Sequence, residues 1–370
     1  MNTRVNAKWR AAAVAGALVV LTAGTAAADD GTEWQRVAAP ESGIEYVLDD
    51  VTAVAPDSAY AVGFGEVGGG MVLARWNGIG WARENGLPTT SFSTLRGVHA
   101  WGDRVIAVGQ DYVDGVSKPM LLTRAGGWTK ALGATPPGDQ GRFSDVVAVS
   151  DTTAWAVGRE GSGLVERPVA HRWNGSALQR FALPAAGTYA RAEAVAGSAE
   201  IWAVGTEGGL AGAQSRGLSW RWNGTGWTAV PVPGFGAHQV ELTDVVVTGR
   251  QVWAVGRADA QPLVLRWNGV AWDRVGAYGA VAPTRIDAAA DDGRGGLWVA
   301  GEVRAGQDAT PFLARYNGSW QPATVSPDLS HTALRGIARV PGTDTAWAVG
   351  RHFRSGTYCS GCRASIATNG

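Results

Sequence analysis

The sequence predicts an all-β fold built from seven copies of one unit, on three observations. A short apolar phrase ending in glycine recurs seven times. An Asn-Gly pair beside a tryptophan recurs within the same units. One copy is divided between the two ends of the chain.

The phrase reads AYAVG (Tyr60), VIAVG (Ile106), AWAVG (Trp155), IWAVG (Trp202), VWAVG (Trp253), LWVAG (Trp298) and AWAVG (Trp347). Its spacing, 45 to 51 residues, lies in the range of propellers and solenoids. About ten residues earlier stands a short alternating segment: DDVTAV, LRGVHA, SDVVAV, RAEAVA, LTDVVV, RIDAAA or LRGIAR. A variable loop follows each phrase, and then a segment ending in Arg-Trp or its equivalent at Trp76, Trp173, Trp222, Trp267 and Tyr316. Each unit therefore carries four strands, named A (alternating), B (the phrase), C and D in chain order. Asn-Gly between C and D is a hairpin signal, on the expectation of a tight turn whose two central residues take positive φ. Three N-x-S/T matches (Asn174, Asn223, Asn317) fall on these hairpins and read as turn chemistry. Helical periodicity is absent after the first 28 residues. Four-stranded antiparallel units at this period are blades, so the chain is expected to form a seven-bladed β-propeller.

Six units are complete. The seventh, from Thr332, has A, B and C and stops at Gly370. Its missing strand D matches DGTEWQRV near the other end, with Trp34 in the place of Trp227 in NGTGWTAV. Residues 31–38 are therefore expected to complete the last blade and close the ring, which removes two open sheet edges. Trp34 is expected to be buried.

Residues 1–28 read as a secretory signal: Arg4, Lys8 and Arg10, then AAAVAGALVVLTAG, then small residues before Asp29. Residues 29–370 are expected to be one propeller domain, secreted and not inserted in a membrane. The 370 residues are 45% hydrophobic with zero formal net charge, which gives no electrostatic case for nucleic acid. Gly 53 and Trp 18 agree with turn-rich β structure.

The segments LARWNGIGW, LSWRWNGTGW and VLRWNGVAW resemble those of secreted actinobacterial seven-bladed propellers, and more loosely those of bacterial propeller lectins. The resemblance covers the whole mature chain and rests on blade-core residues, so it is specific for architecture. It implies lectin-like recognition of a cell-surface glycan or a secreted partner protein. It also implies a possible place as the lectin subunit of an umbrella toxin particle, a larger secreted antibacterial assembly.

Catalytic motifs are missing. There is no H-E-x-x-H, G-x-S-x-G or phosphate loop, and the five His do not stand at metal-ligand spacing. Cys359 and Cys362 form YCSGC; in an exported chain this reads as a structural disulfide. No metal or cofactor is expected from motifs. Acidic residues recur near the start of strand A at Asp50, Asp145, Glu193, Asp244 and Asp287, with Gly97 and Gly336 in the other two blades. One reading is an acidic ring at the channel mouth that holds a cation such as calcium. The other is that these carboxylates cap backbone amides or pair with Arg96, Arg191, Arg285 or Arg335. His171 and Trp220 stand in equivalent places before the Arg-Trp pair and read as core, whereas Trp101 reads as an exposed aromatic.

Two functions are weighed. In a binding module, the variable B–C loops share one face with the starts of the A strands and carry the ligand. The short loop of blade one would leave a depression between blades seven and two. Asp111 and Tyr112 would face it from one side and Arg351, His352, Phe353 and Tyr358 from the other. An aromatic would stack on a sugar while Asp and Arg bond its hydroxyls. The alternative is a polysaccharide-degrading glycosidase or lyase that uses the channel-mouth carboxylates.

Overall fold

The computed structural model describes residues 33–370 except 42, 67–69, 89–91, 103, 125, 186, 209–213, 277–283, 306–307 and 354–361. The signal segment 1–28, Tyr358 and Cys359 lie outside the described residues, and with Cys359 the Cys359–Cys362 pairing.

Seven four-stranded antiparallel sheets form seven blades. Their innermost A strands are Tyr46–Ala55, Thr94–Trp101, Gln140–Ser150, Ala190–Ala196, Val240–Thr248, Thr284–Asp291 and Thr332–Arg339. Each packs beside the next around the ring, and the last packs beside the first. The only helical turn among the described residues is Pro327–Leu329.

Blade seven is composite. Its strands A, B (Ala346–His352) and C (Arg363–Thr368) are completed by Gln35–Val37, which pairs Gln35 with Thr368 and Val37 with Ile366. The expected closure over 31–38 is seen where that stretch is described. Trp34 has 0% exposure. Its amide donates to Thr324 O at 2.9 Å, and its carbonyl accepts from Ser326 N at 2.9 Å.

The recurrent tryptophans join neighbouring blades. The strand B ring of one blade meets the strand D ring of the next edge-to-face: Trp155 with Trp227 at 5.2 Å, Trp202 with Trp272 at 5.4 Å, Trp347 with Trp81 at 5.2 Å. Trp298 meets Trp34 in the same way at 5.5 Å, so the closing segment also makes the contact between blades six and seven. Such pairs add about 0.5–1.5 kcal/mol beyond area burial.

The glycine of the B phrase has a separate cause. Every A strand carries a β-bulge two or more residues after its start, as between Leu48 and Asp50 or Phe143 and Asp145. The bulge brings an A-strand carbonyl against strand B. A Cβ at Gly63 would collide with Val47 O, and one at Gly158 with Arg142 O. The same holds at Gly109, Gly205, Gly256, Gly301 and Gly350.

The C–D hairpins differ from the expected tight turn. Trp76 pairs with Trp81 across a four-residue loop in which only Gly78 has positive φ, at 88°. The Asn is there as an acceptor: Asn77 Oδ1 takes the amides of Ile79 and Gly80, both at 3.0 Å. Asn223 Oδ1 takes those of Thr225 at 3.0 Å and Gly226 at 2.8 Å. The side chain mimics a backbone turn, so Asn keeps an ordinary φ. His171 and Trp220 are buried as expected.

Candidate functional site

Because the strands alternate in direction, each blade presents its B–C loop and the start of strand A at one end. The A–B and C–D turns lie at the other. The channel runs between these two faces along the A strands.

The acidic column resolves into two. The bulge shifts register, so Glu193 and Asp287 occupy the bulged place, together with Asp49, Arg96, Ser144, Thr243 and Arg335. The next place reads Asp50, Gly97, Asp145, Ala194, Asp244, Ala288 and Gly336 around the ring. The expected five-membered ring is thus three aspartates separated by small residues.

Each of the three accepts two backbone amides. Asp50 Oδ1 accepts from Val51 N and Oδ2 from Val98 N of blade two, both at 2.8 Å. Asp145 takes Val146 at 2.7 Å and Val195 of blade four at 2.8 Å. Asp244 takes Val245 at 2.7 Å and Ala289 of blade six at 2.8 Å. They border a channel cavity of about 330 Å³ with His99. Burial raises the Asp145 and Asp244 carboxyls to about 7, and Asp50 well above the usual range, with mutual repulsion adding to it. The other two acids form ion pairs: Glu193 pairs with Arg191, and Asp287 pairs with Arg335 at 2.7 Å and with Arg285 at 2.7 Å. Among the described residues no cluster of three or more His, Cys, Asp or Glu is placed to hold a metal ion. The five acids expected at the channel mouth thus cap backbone amides or pair with arginine.

The depression expected between blades seven and two is also corrected in its described part. Asp111 has 0% exposure, because it accepts from Ser93 Oγ at 2.6 Å and pairs with Lys130 at 2.6 Å. Phe353 is 4% exposed and packs with Val47, Ala309, Ala333 and Cys362. Neither can touch a ligand at the surface. Arg351 pairs with Asp49 at 3.4 Å, and His352 Nδ1 lies 3.0 Å from an Arg36 nitrogen. These two hold blade seven to blade one and to the closing strand.

Among the described members Tyr112 is the exposed one, at 39%. Strand B of blade two, Arg104–Val113, alternates, so Asp111 points inward and Tyr112 outward. Its ring meets Phe92 (65% exposed) edge-to-face at 6.1 Å. Phe92 lies on the connection from blade one and was missed; its signal is an apolar ring within a Ser/Thr run. Beside Tyr112 opens a groove of about 320 Å³ between blades two and three. Gln110, Gln140, Arg142, Arg159, Val165 and Glu166 line it. The opposite face holds a broader concavity of about 1120 Å³ near Trp101, which is exposed as expected. There Arg221 is paired with Glu200, and Arg221 and Arg266 lie over Trp202 and Trp253 at 5.7 and 5.3 Å. Those side chains are occupied in repeat packing.

No family model and no curated sequence matches the chain. Solved structures do. One, described as "YCF48 bound to D1 peptide", is similar with a TM-score of 0.58 and 15% identity, over 92% of this chain and 96% of that one. A protein of unknown function from Dyadobacter fermentans DSM 18053 is similar with a TM-score of 0.52 and 12% identity, over 91% and 98%. At these identities the likeness is one of fold, and the chain is a seven-bladed β-propeller.

Proposed function

We propose that this propeller is an extracellular glycan-recognition module whose ligand lies in the groove between blades two and three. The observation that carries the reading is the exposed Phe92–Tyr112 ring pair at the rim of a polar groove. An aromatic face suits the apolar side of a sugar, and the amides of Gln110 and Gln140 suit its hydroxyls. The groove rests on paired strands, so its walls are preorganised. On this reading the module acts after export, alone or as the recognition subunit of a larger secreted assembly. The glycosidase reading is weaker, since the three channel aspartates are engaged as backbone acceptors. A glycan array run beside a reducing-sugar release assay tests both. Binding that depends on Tyr112 without sugar release supports the module; release of sugar overturns it.

A further inference from the structure

We propose that the glycan bears an oxyanion, a uronate carboxylate or a sulfate ester, and that Arg142 receives it; this rests on the groove being the ligand site.

Arg142 stands on strand A of blade three, directly opposite Arg159 on strand B, Thr153–Ser162. Like charges facing each other across a strand pair are destabilising. Arg96 and Arg191 add to the same field. Three of the four arginines are paired with an acid. Arg96 pairs with Asp49 at 2.9 Å, Arg159 with Glu166, and Arg191 with Glu193. For Arg142 no ion pair or hydrogen bond is found among the described residues, and its Nε is buried without a partner. Its guanidinium is pulled down to about 10, first by burial and then by Arg96 and Arg159, with Glu193 acting in the opposite sense.

A cation that is costly to keep in place is relieved by an anion brought from outside. Guanidinium presents a planar fork that matches a carboxylate or sulfate through two parallel hydrogen bonds. The groove is near the lower end of the roughly 300–1,000 Å³ of single-ligand sites. It therefore fits one or two sugar rings better than a folded peptide segment. A sugar stacked at Tyr112 would carry its acidic group inward past Gln110 and Gln140 to Arg142.

Two measurements test this. The first is thermal unfolding in sodium sulfate against sodium chloride at equal ionic strength, for the wild type and Arg142→Gln. The expected result is extra stabilisation by sulfate that Arg142→Gln lacks. An equal response of the two proteins overturns the anion site. The second is binding to glucuronate-terminated, sulfated and neutral galactose-terminated glycans. Arg142→Gln is expected to lose about tenfold to a hundredfold in affinity for the acidic probes. Relative binding of glucuronate and sulfated probes then tells which oxyanion is used. Equal binding of neutral and acidic glycans by both proteins overturns the inference and leaves the lectin reading standing. Binding of poly-glutamate with no glycan bound overturns both.

Discussion

Asp145 of blade three accepts the amide of Val195 in blade four at 2.8 Å, across the gap between two innermost strands. Asp50 does the same to Val98, and Asp244 to Ala289. Blades one and two, three and four, and five and six are thereby latched in pairs. The place before two of the latches is glycine, because the aspartate backbone comes close: a Cβ at Gly97 would meet Asp145 Cα, and one at Gly336 would meet Asp50 Cα. Seven is odd, so one blade has no latch. That is blade seven, held instead by the composite sheet and by Arg351 reaching Asp49 at 3.4 Å.

The latch predicts an order of damage at one site. Asp145→Ala leaves two amides without an acceptor and should destabilise by about 1–3 kcal/mol. Asp145→Asn keeps one oxygen and should lose less. Urea midpoints of the two variants measure this. Equal midpoints for Asp145→Ala and wild type would show that water in the channel replaces the carboxylate.

The same carboxyls predict a pH dependence. Burial raises Asp145 and Asp244 to about 7 in the folded state, whereas an unfolded aspartate titrates at about 4. Between these values the folded protein holds more protons, so stability falls as pH rises toward and through 7. His99 and His171 act oppositely below about 6.5, because burial lowers both to about 4. The clean window is therefore pH 6.5 to 8. The melting temperature should drop across it, and Asp145→Asn should flatten the drop. An unchanged slope in that variant would remove Asp145 as its source.

The closing segment predicts a large effect from one ring. Trp34 fills blade seven and packs on Trp298 of blade six. Trp34→Ala should cost about 3–5 kcal/mol. A chain starting at Ala38 should melt well below the wild type, since it loses both the fourth strand and that ring. Calorimetry of both variants decides it.

The ring was legible in the sequence because its causes recur. Trp155 and Trp227 announce themselves by repetition, and Trp34 by completing a broken copy. The site was not, because it is made where repetition fails. Arg142 lies before the alternating SDVVAV segment and gave no periodic signal. Phe353 and Tyr112 look alike as loop aromatics, and only strand phase decides that one is core and the other rim. Glu193 and Asp287 were misplaced by one position because a bulge adds a residue that no spacing rule reveals. The Asn of the hairpins was found for the wrong reason, as its side chain and not its φ makes the turn.

Strand phase gives the final prediction. Tyr112 and Phe353 were expected to act alike, on opposite walls of one depression. The structure separates them. Phe353→Ala empties a space among Val47, Ala309, Ala333 and Cys362, and should cost about 3–5 kcal/mol. It should leave the affinity of the folded protein unchanged, because the ring is covered. Tyr112→Ala and Phe92→Ala remove exposed rings, so the melting temperature should hold within about 1–2 °C. Together they should weaken glycan binding by about tenfold to a hundredfold, the equivalent of about 1–3 kcal/mol of lost stacking. Melting curves and titrations on the three variants give a crossed pattern if the rim is the site. Full affinity in the Phe92→Ala/Tyr112→Ala double variant would move the ligand away from blades two and three.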